Sequence, residues 1–272
     1  MNINEADYKK TIEKIEQLEI ENAELKLLKK NSEENFKKEK ENSEALLLNI
    51  LPWKTAKELK ETGKAIPKYF PNASVLFTDF KDFTLSCENL TPFELVDTLH
   101  FYFKQFDEIV TKYGLEKIKT IGDSYLCVGG IPMVDKQHPF KIVMAALEIQ
   151  KLMNYYNEEE LKVGKEAWKL RVGIHTGGLI TGVVGEKKFA FDVWGDTVNI
   201  AARMESSGEV GKVNISESTY ELVKDYFEFT SRGMIEVKNK GKIKMYFVDG
   251  IKPKNVMNQE GFIIRNDGSG RV

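Results

Sequence analysis

The first fifty residues hold no glycine and no proline; the first proline is Pro52 and the first glycine is Gly63. Nine Lys and twelve Asp or Glu stand in this stretch, with Leu and Ile between them. Nothing here breaks a helix, and most residues favour one. A helix of this length cannot bury its own apolar side chains, so it either meets a partner helix or remains solvated. Spacings of three and four trace a seam through Ile15, Leu18, Asn22, Leu25, Lys29, Ser32, Phe36, Glu39, Ser43, Leu46 and Ile50, of which only about half are apolar. The pattern predicts a parallel two-stranded coiled coil over residues 1–52, with Asn22 as a polar, register-setting seam residue. A solvated single helix is the alternative.

The rest of the chain has different physics. The whole carries 40 Lys+Arg against 42 Asp+Glu, a net charge of -2. This average hides a helical part at -3 and a remainder at +1. Hydrophobic residues make up 42% and aromatics 11%, which suits a packed core rather than a disordered chain. The balanced charge argues against a dedicated nucleic-acid binder. No apolar run approaches the ~20 residues of a membrane helix; the longest candidate, residues 45–51, contains Asn49 and ends at Pro52. The polar, acidic opening does not read as a signal peptide. Two cysteines, Cys87 and Cys127, do not make a disulfide framework, so a reducing cytoplasm is the expected location.

Residues 53–62 predict a short amphipathic helix stopped at Gly63, and Pro67 and Pro71 bracket an extended connector; residues 53–73 thus read as a transducer helix and linker. From Ser74 the pattern alternates. A β-rich run at 74–80 precedes a helix from Thr91-Pro92 to about Tyr113. Strands at 118–121 and 124–128 join at Gly122-Asp123, and a helix covers 139–157. Strands at 170–175 and 179–184 join at Gly177-Gly178. Short helices at 198–205 and 216–226 and strands at 227–232 and 243–248 complete the domain. The succession β-α-β-β-α-β with appended elements predicts an α+β sheet over 74–250 with helices on one face. Residues 251–272 read as a flexible C-terminal tail.

Several chemistries are absent. There is no G-x-x-x-x-G-K-[ST] loop and no G-x-G-x-x-G after a strand, and the three histidines lack H-E-x-x-H spacing. Two cysteines cannot build a zinc site. Gly122-Asp123-Ser124 lacks a recognisable His/Asp partnership for a nucleophilic serine. What remains is a pair of aspartates. Asp79 ends the run Val75-Leu76-Phe77-Thr78-Asp79-Phe80, and Asp123 sits at the hairpin turn. If these strands are neighbours, both carboxylates meet at one edge and suit Mg²⁺ with substrate phosphates in its shell. Each aspartate taken alone is equally an ordinary turn residue. A third feature is the run from Phe191 to Glu205. Asp196 or Thr197 can cap a helix on which Asn199 and Arg203 share a face at i,i+4. An amide and a guanidinium there can orient a sugar and neutralise phosphate, or serve as an ordinary helix surface.

Taken together, these runs resemble the class III nucleotidyl cyclase catalytic domain, the adenylyl/guanylyl cyclase family. Phe77-Thr78-Asp79-Phe80-Lys81-Asp82-Phe83-Thr84 and Lys117-Ile118-Lys119-Thr120-Ile121-Gly122-Asp123 are similar to its two metal motifs. Arg171-Val172-Gly173-Ile174-His175-Thr176-Gly177, the run from Asp192 to Arg203, and Val237-Lys238-Asn239-Lys240-Gly241 follow in the family's order. The resemblance implies a ferredoxin-like βαββαβ core preceded by the long helix. It implies that Asp79, Asp123 and the Phe80 carbonyl hold two Mg²⁺ (or Mn²⁺). Lys119 and Asp192, with Val193 beside them, match base-selecting positions. Asn199 and Arg203 match the catalytic pair that orients the ribose and stabilises the transition state. Arg171 and Lys238 match phosphate-binding positions, and Phe83 and Thr84 lie in the nucleotide loop. The family's sites form between two catalytic domains, so the resemblance also implies a head-to-tail homodimer. Asp79, Asp123 and Arg171 would come from one chain; Lys119, Asp192, Asn199, Arg203 and Lys238 would come from the other.

The base follows from donor chemistry. Lys119 only donates and ionised Asp192 only accepts. Lysine to N1 and aspartate to N6 complement adenine, whereas guanine would set its O6 against the carboxylate. Family guanylyl cyclases carry Glu and Cys at these positions. ATP is thus the expected substrate, converted to 3′,5′-cyclic AMP and pyrophosphate, with a guanylyl cyclase or a non-catalytic nucleotide-binding regulatory dimer as the alternatives. Asp82 departs from the family, which often has Gly there. In this family such N-terminal helices join sensor domains to the catalytic pair, so an upstream sensor is implied as well.

Overall fold

The structure, a computed structural model, describes residues 5–83, 87, 90–164, 166–185, 188–238, 240–253, 255–257 and 263–265. It divides into two compact units, residues 1–57 and 58–272. The first unit is dominated by α1 (Glu5–Leu48), an uninterrupted helix of 44 residues, as its composition dictates. Its seam residues Ile15, Leu18, Leu25, Phe36 and Leu46 are all exposed. Local support comes from i,i+4 pairs such as Lys29–Glu33 and Lys37–Glu41, each worth only a few tenths of a kcal/mol. The division between the units falls inside α2 (Trp53–Thr62), which ends at Gly63 in the left-handed region (φ +73°). Among the described residues, no helix is long and apolar enough to cross a membrane.

The second unit is built on an eight-stranded sheet. Its elements are β1 (Lys68–Phe80), α3 (Pro92–Lys112), β2 (Glu116–Ile121), β3 (Ser124–Gly129), α4 (His138–Lys162), β4 (Leu170–Val184), β5 (Ala190–Trp194), α5 (Asp196–Ser206), β6 (Val213–Ser216), α6 (Glu217–Val223), β7 (Phe227–Val237) and β8 (Gly241–Ile251). A separate two-stranded ribbon follows, β9 (Asn255–Met257) with β10 (Ile263–Arg265). The strand order is β2-β3-β1-β4-β6-β8-β7, with β5 paired to β4. The first four give the antiparallel ferredoxin-like core that β-α-β-β-α-β requires, and β6 joins β4 in parallel. Thr91 starts α3 with a full capping box: its side chain accepts from the Glu94 N–H, and the Glu94 carboxylate accepts from the Thr91 N–H.

Three expectations change. β1 begins six residues before Ser74 and absorbs the connector, with Pro71 in the register shift between Phe70 and Ala73, where a missing N–H costs no ladder bond. Residues 170–184 form one strand rather than two. Gly177 and Gly178 serve close packing here, not a turn: a Cβ would sit 2.7 Å from Thr197 Oγ1 at the first and 2.5 Å from Tyr69 Oη at the second. The helices also do not share one face. Register sets Leu76 opposite Ile174 and Thr78 opposite Val172. Leu76, Val172 and Ile174 enter a core with Tyr102 and Phe106 of α3, Ile142 and Ile149 of α4, and Val223 of α6. The alternate residues Phe77, Asp79, Arg171 and Gly173 project to the other side, and there α5 lies. A Cβ on Gly173 would come within 1.9 Å of the Glu205 backbone N, so only glycine admits the helix so close to β4.

Candidate active site

Asp79 and Asp123 meet as neighbouring strands require. β1 pairs with β3 through Thr78 opposite Tyr125, so the end of β1 lies beside the β2–β3 turn that carries Asp123 after Gly122 (φ +61°). Asp79 is held at both oxygens: Ser124 Oγ donates to Oδ1 at 2.7 Å and Arg171 Nη2 to Oδ2 at 2.8 Å. Arg171 stands opposite Asp79 in the β1–β4 register, and its Nε donates to Glu205 Oε1 at 2.8 Å. Burial, and then the charge of Asp79, push the Asp123 carboxyl above its ordinary range; backbone hydrogen bonds at Asp123 and Phe80, and Arg171, pull it partly back. Burial likewise raises the Glu205 carboxyl to about 7 against the opposing pull of Arg171.

This donor set fits a hard divalent cation. Two carboxylates whose charges oppose one another at a strand end, beside the Phe80 backbone, are relieved by a cation that takes oxygen ligands. Among the described residues no group of three or more His, Cys, Asp or Glu forms a self-sufficient metal cage. A site with two carboxylates leaves coordination positions for water and phosphate.

A second cluster lies along β2. Lys117 pairs with Cys127 and Lys119 with Leu126, so Ile118 is an extra residue in the ladder. This bulge turns two lysines that would share a face to opposite sides. Lys117 goes to the helix side, where it reaches Asp107 and the Tyr125 ring. Lys119 goes to the other side and pairs with Asp192 of β5. Asp192 also accepts from the Val193 N–H at 2.9 Å, and the Val193 side chain is buried. A donor-only ammonium and an acceptor-only carboxylate are thereby held side by side.

The helix start differs from expectation. Gly195, at φ +139°, is the N-cap, and no side chain caps the helix. Thr197 Oγ1 donates instead to the Gly178 carbonyl at 2.6 Å, and Asp196 pairs with Lys240. Along α5 the Asn199 side chain is exposed and that of Arg203 half-buried. Lys238 is exposed just past the end of β7. The Phe83 ring packs on Trp168 at 6.0 Å between centroids, while Thr84 lies outside the described residues. Sequence reasoning missed Ser124 and Glu205 as partners of the carboxylate cluster. For Glu205 a signal existed, since it lies about 200° around the helix from Arg203 and so faces the sheet wherever Arg203 faces away.

The fold carries two polar clusters on one side of the sheet: an acidic corner whose donors fit a divalent cation, and a paired ammonium and carboxylate. A family model described as the adenylate and guanylate cyclase catalytic domain matches residues 66–250. An adenylate cyclase of Mycobacterium tuberculosis (strain ATCC 25618 / H37Rv) is 40% identical over 215 residues, covering 79% of this chain and 48% of that protein. The guanylate cyclase soluble subunit beta-2 of Rattus norvegicus is 36% identical over 237 residues, covering 85% of this chain and 33% of that protein. Among solved structures, the guanylate cyclase domain of RhGC from Catenaria anguillulae, in complex with GTP, has a TM-score of 0.64 at 33% identity, covering 68% of this chain and 100% of that one. The adenylyl cyclase CyaB from P. aeruginosa has a TM-score of 0.64 at 27% identity, covering 72% and 99%. The chain belongs to the adenylate and guanylate cyclase catalytic-domain family. It spans between a third and about half the length of these curated relatives.

Proposed function

We propose that the protein is an adenylyl cyclase that works as a head-to-tail homodimer, converting ATP to 3′,5′-cyclic AMP and pyrophosphate. The observation that carries this reading is the Lys119–Asp192 pair. Lysine donating to adenine N1 and Asp192 accepting from N6 satisfy both groups, while guanine would leave O6 facing a carboxylate. The adenylate cyclase relative at 40% identity supports it. The GTP complex of a relative at 33% identity favours a guanylyl cyclase as the second reading.

In the proposed site, Asp79, Asp123 and the Phe80 carbonyl would hold two Mg²⁺ or Mn²⁺ ions, which when bound would supply Lewis acidity toward the 3′-hydroxyl and neutralisation of the triphosphate charge. The 3′-oxygen bonds to the α-phosphorus as the bond to the pyrophosphate oxygen breaks in line, and the hydroxyl proton passes to solvent. Asn199 orients the ribose and Arg203 binds the charge that develops on the phosphoryl oxygens. Lys238 and Arg171 meet the polyphosphate. Phe83, its ring held on Trp168, and Thr84 are assigned to the nucleotide. Among the described residues the side chains of Asn199, Arg203 and Lys238 make no hydrogen bond or ion pair, which supports their serving a site whose carboxylates come from a partner chain. The exposed seam of α1 supports a parallel coiled coil over residues 1–52 that carries a signal from an upstream sensor through residues 53–73 to the catalytic domain at 74–250, with 251–272 as a tail. Free Cys87 and Cys127 suit a reducing cytoplasm.

Turnover of ATP and GTP by the purified chain, with Mg²⁺ and Mn²⁺ compared, tests the reading. Cyclic AMP as the main product is expected. A preference for GTP gives the second reading, and nucleotide binding without turnover gives a regulatory dimer.

A further inference from the structure

Helix α5 has two working faces. Asn199 and Arg203 lie on one, and Glu205, about 200° from Arg203, lies on the other. Glu205 is 8% exposed, and its backbone sits directly on Gly173, two residues along β4 from Arg171. A carboxylate buried in this way needs its cation, and Arg171 is that cation: Nε donates to Glu205 Oε1 at 2.8 Å. The same guanidinium donates Nη2 to Asp79 Oδ2 at 2.8 Å, while Ser124 takes Oδ1. A guanidinium can present two parallel N–H groups to one carboxylate. With Nε occupied by Glu205, the Nε–Nη2 edge of Arg171 gives Asp79 a single bond, and no second Arg171–Asp79 hydrogen bond forms among the described residues. We infer that Glu205 is a positioning residue that restrains Arg171 to a single bond with Asp79 and so keeps Asp79 available to a divalent cation.

The inference rests on the proposed assignment of Asp79 and Asp123 as the metal-holding carboxylates. It ties the two halves of the chemistry together, because the helix that offers Arg203 to one site governs, from its other face, the carboxylate of this chain's own cation corner. Without Glu205, the Nε–Nη2 edge of Arg171 turns to both Asp79 oxygens and competes with the cation.

Mn²⁺ binding to the full chain without nucleotide, followed by electron paramagnetic resonance, tests it. Glu205→Ala is expected to weaken Mn²⁺ binding about tenfold, as loss of a group that orients a metal ligand commonly does. Glu205→Gln, whose amide oxygen still accepts from Nε, should recover most of that loss. Glu205→Asp, which keeps the charge but falls one methylene short, should weaken binding severalfold and serves if the alanine variant does not fold. In an Arg171→Ala background, Glu205→Ala should change Mn²⁺ affinity less than about twofold. In turnover assays the half-saturating Mg²⁺ concentration should rise while KM for nucleotide at saturating metal stays nearly constant. Unchanged Mn²⁺ affinity in folded Glu205→Ala and Glu205→Asp, or an equal loss with and without Arg171, overturns the inference. A wild-type chain that binds no Mn²⁺ overturns both it and the metal assignment. A chain that binds Mn²⁺ as expected but prefers GTP corrects the substrate alone.

Discussion

The two sides of the central sheet obey different rules. On the side covered by α3, α4 and α6, ring meets ring: Phe106 packs edge-on to Tyr125 at 5.7 Å, and Phe80 edge-on to Trp168 at 5.4 Å. At the margin of this side charged groups pair with one another, as Lys112 does with Glu148 and Lys117 with Asp107. On the other side α5 lies over β4, and Asp79, Asp123, Arg171, Glu205, Lys119 and Asp192 gather. Strand alternation separates the two sets residue by residue, so one sheet carries a hydrophobic core and a polar site back to back. Stability and catalysis should therefore be separable by substitution.

The largest expected effect is on the packed side. Phe106→Ala removes a fully buried ring between α3 and β3 and should cost about 3–5 kcal/mol. Urea denaturation reads this directly, and the molecules that remain folded should keep near wild-type turnover. A variant that unfolds normally but loses turnover would break the separation. On the site side, Arg203→Ala should lower turnover about 10²–10³-fold, the usual loss on removing one transition-state donor, with a midpoint in urea close to wild type. Near wild-type turnover in this variant would remove Arg203 from the mechanism.

The packed side was also the more legible in sequence. Thr91, Pro92 and Glu94 mark the start of α3, and the run from Ser74 to Phe80 reads as a strand whichever way it pairs. The meeting of Asp79 with Asp123 followed from one assumption, that their strands are neighbours, and the β1–β3 register meets it. Other features depend on contacts between distant residues, which local pattern does not carry. β5 and β6 are five and four residues long, too short for periodicity to register. The Gly177-Gly178 pair reads as a turn until Tyr69 and Thr197 are brought against it. The Ile118 bulge, which alone sends Lys119 and Lys117 to opposite faces, has no sequence mark; the burial of Glu205 is marked only by its angular offset from Arg203, and its depth comes from the seating of α5 on Gly173.

Glu116 sharpens the comparison, because it is a carboxylate in the sheet that belongs to neither cluster. Burial alone raises its carboxyl to about 7. A group whose native-state value lies above its unfolded value holds its proton more tightly when folded. Its favourable contribution is thus complete below the ordinary carboxylate range and is lost as pH rises through about 7. Glu116→Gln keeps the shape and removes the titration, so it should stabilise the protein at pH 8 by on the order of 1 kcal/mol and change little at pH 5. Urea titrations at the two pH values read the difference, and an equal effect at both would mean that the Glu116 carboxyl is not perturbed. Turnover should be unaltered, which separates a buried charge that costs stability from the charges that do chemistry.

The smallest effect belongs to the loop after Asp79, where backbone conformation decides. Asp82 is the one described non-glycine residue with positive φ, at 60°. That region suits glycine, is tolerated by Asp and Asn, and costs most other residues roughly 1–2 kcal/mol. Asp82→Gly should therefore leave stability within about 0.5 kcal/mol of wild type, because relief of the left-handed conformation is offset by the greater freedom of glycine in the unfolded chain. Asp82→Ala has no such offset and should lose about 1 kcal/mol. If the alanine variant is as stable as the glycine one, the loop relaxes out of the left-handed region on substitution, and its conformation is not imposed by the fold. If alanine loses stability while the glycine variant turns over nucleotide as the wild type does, the position is held for its backbone, and the Asp82 carboxylate plays no part in either cluster.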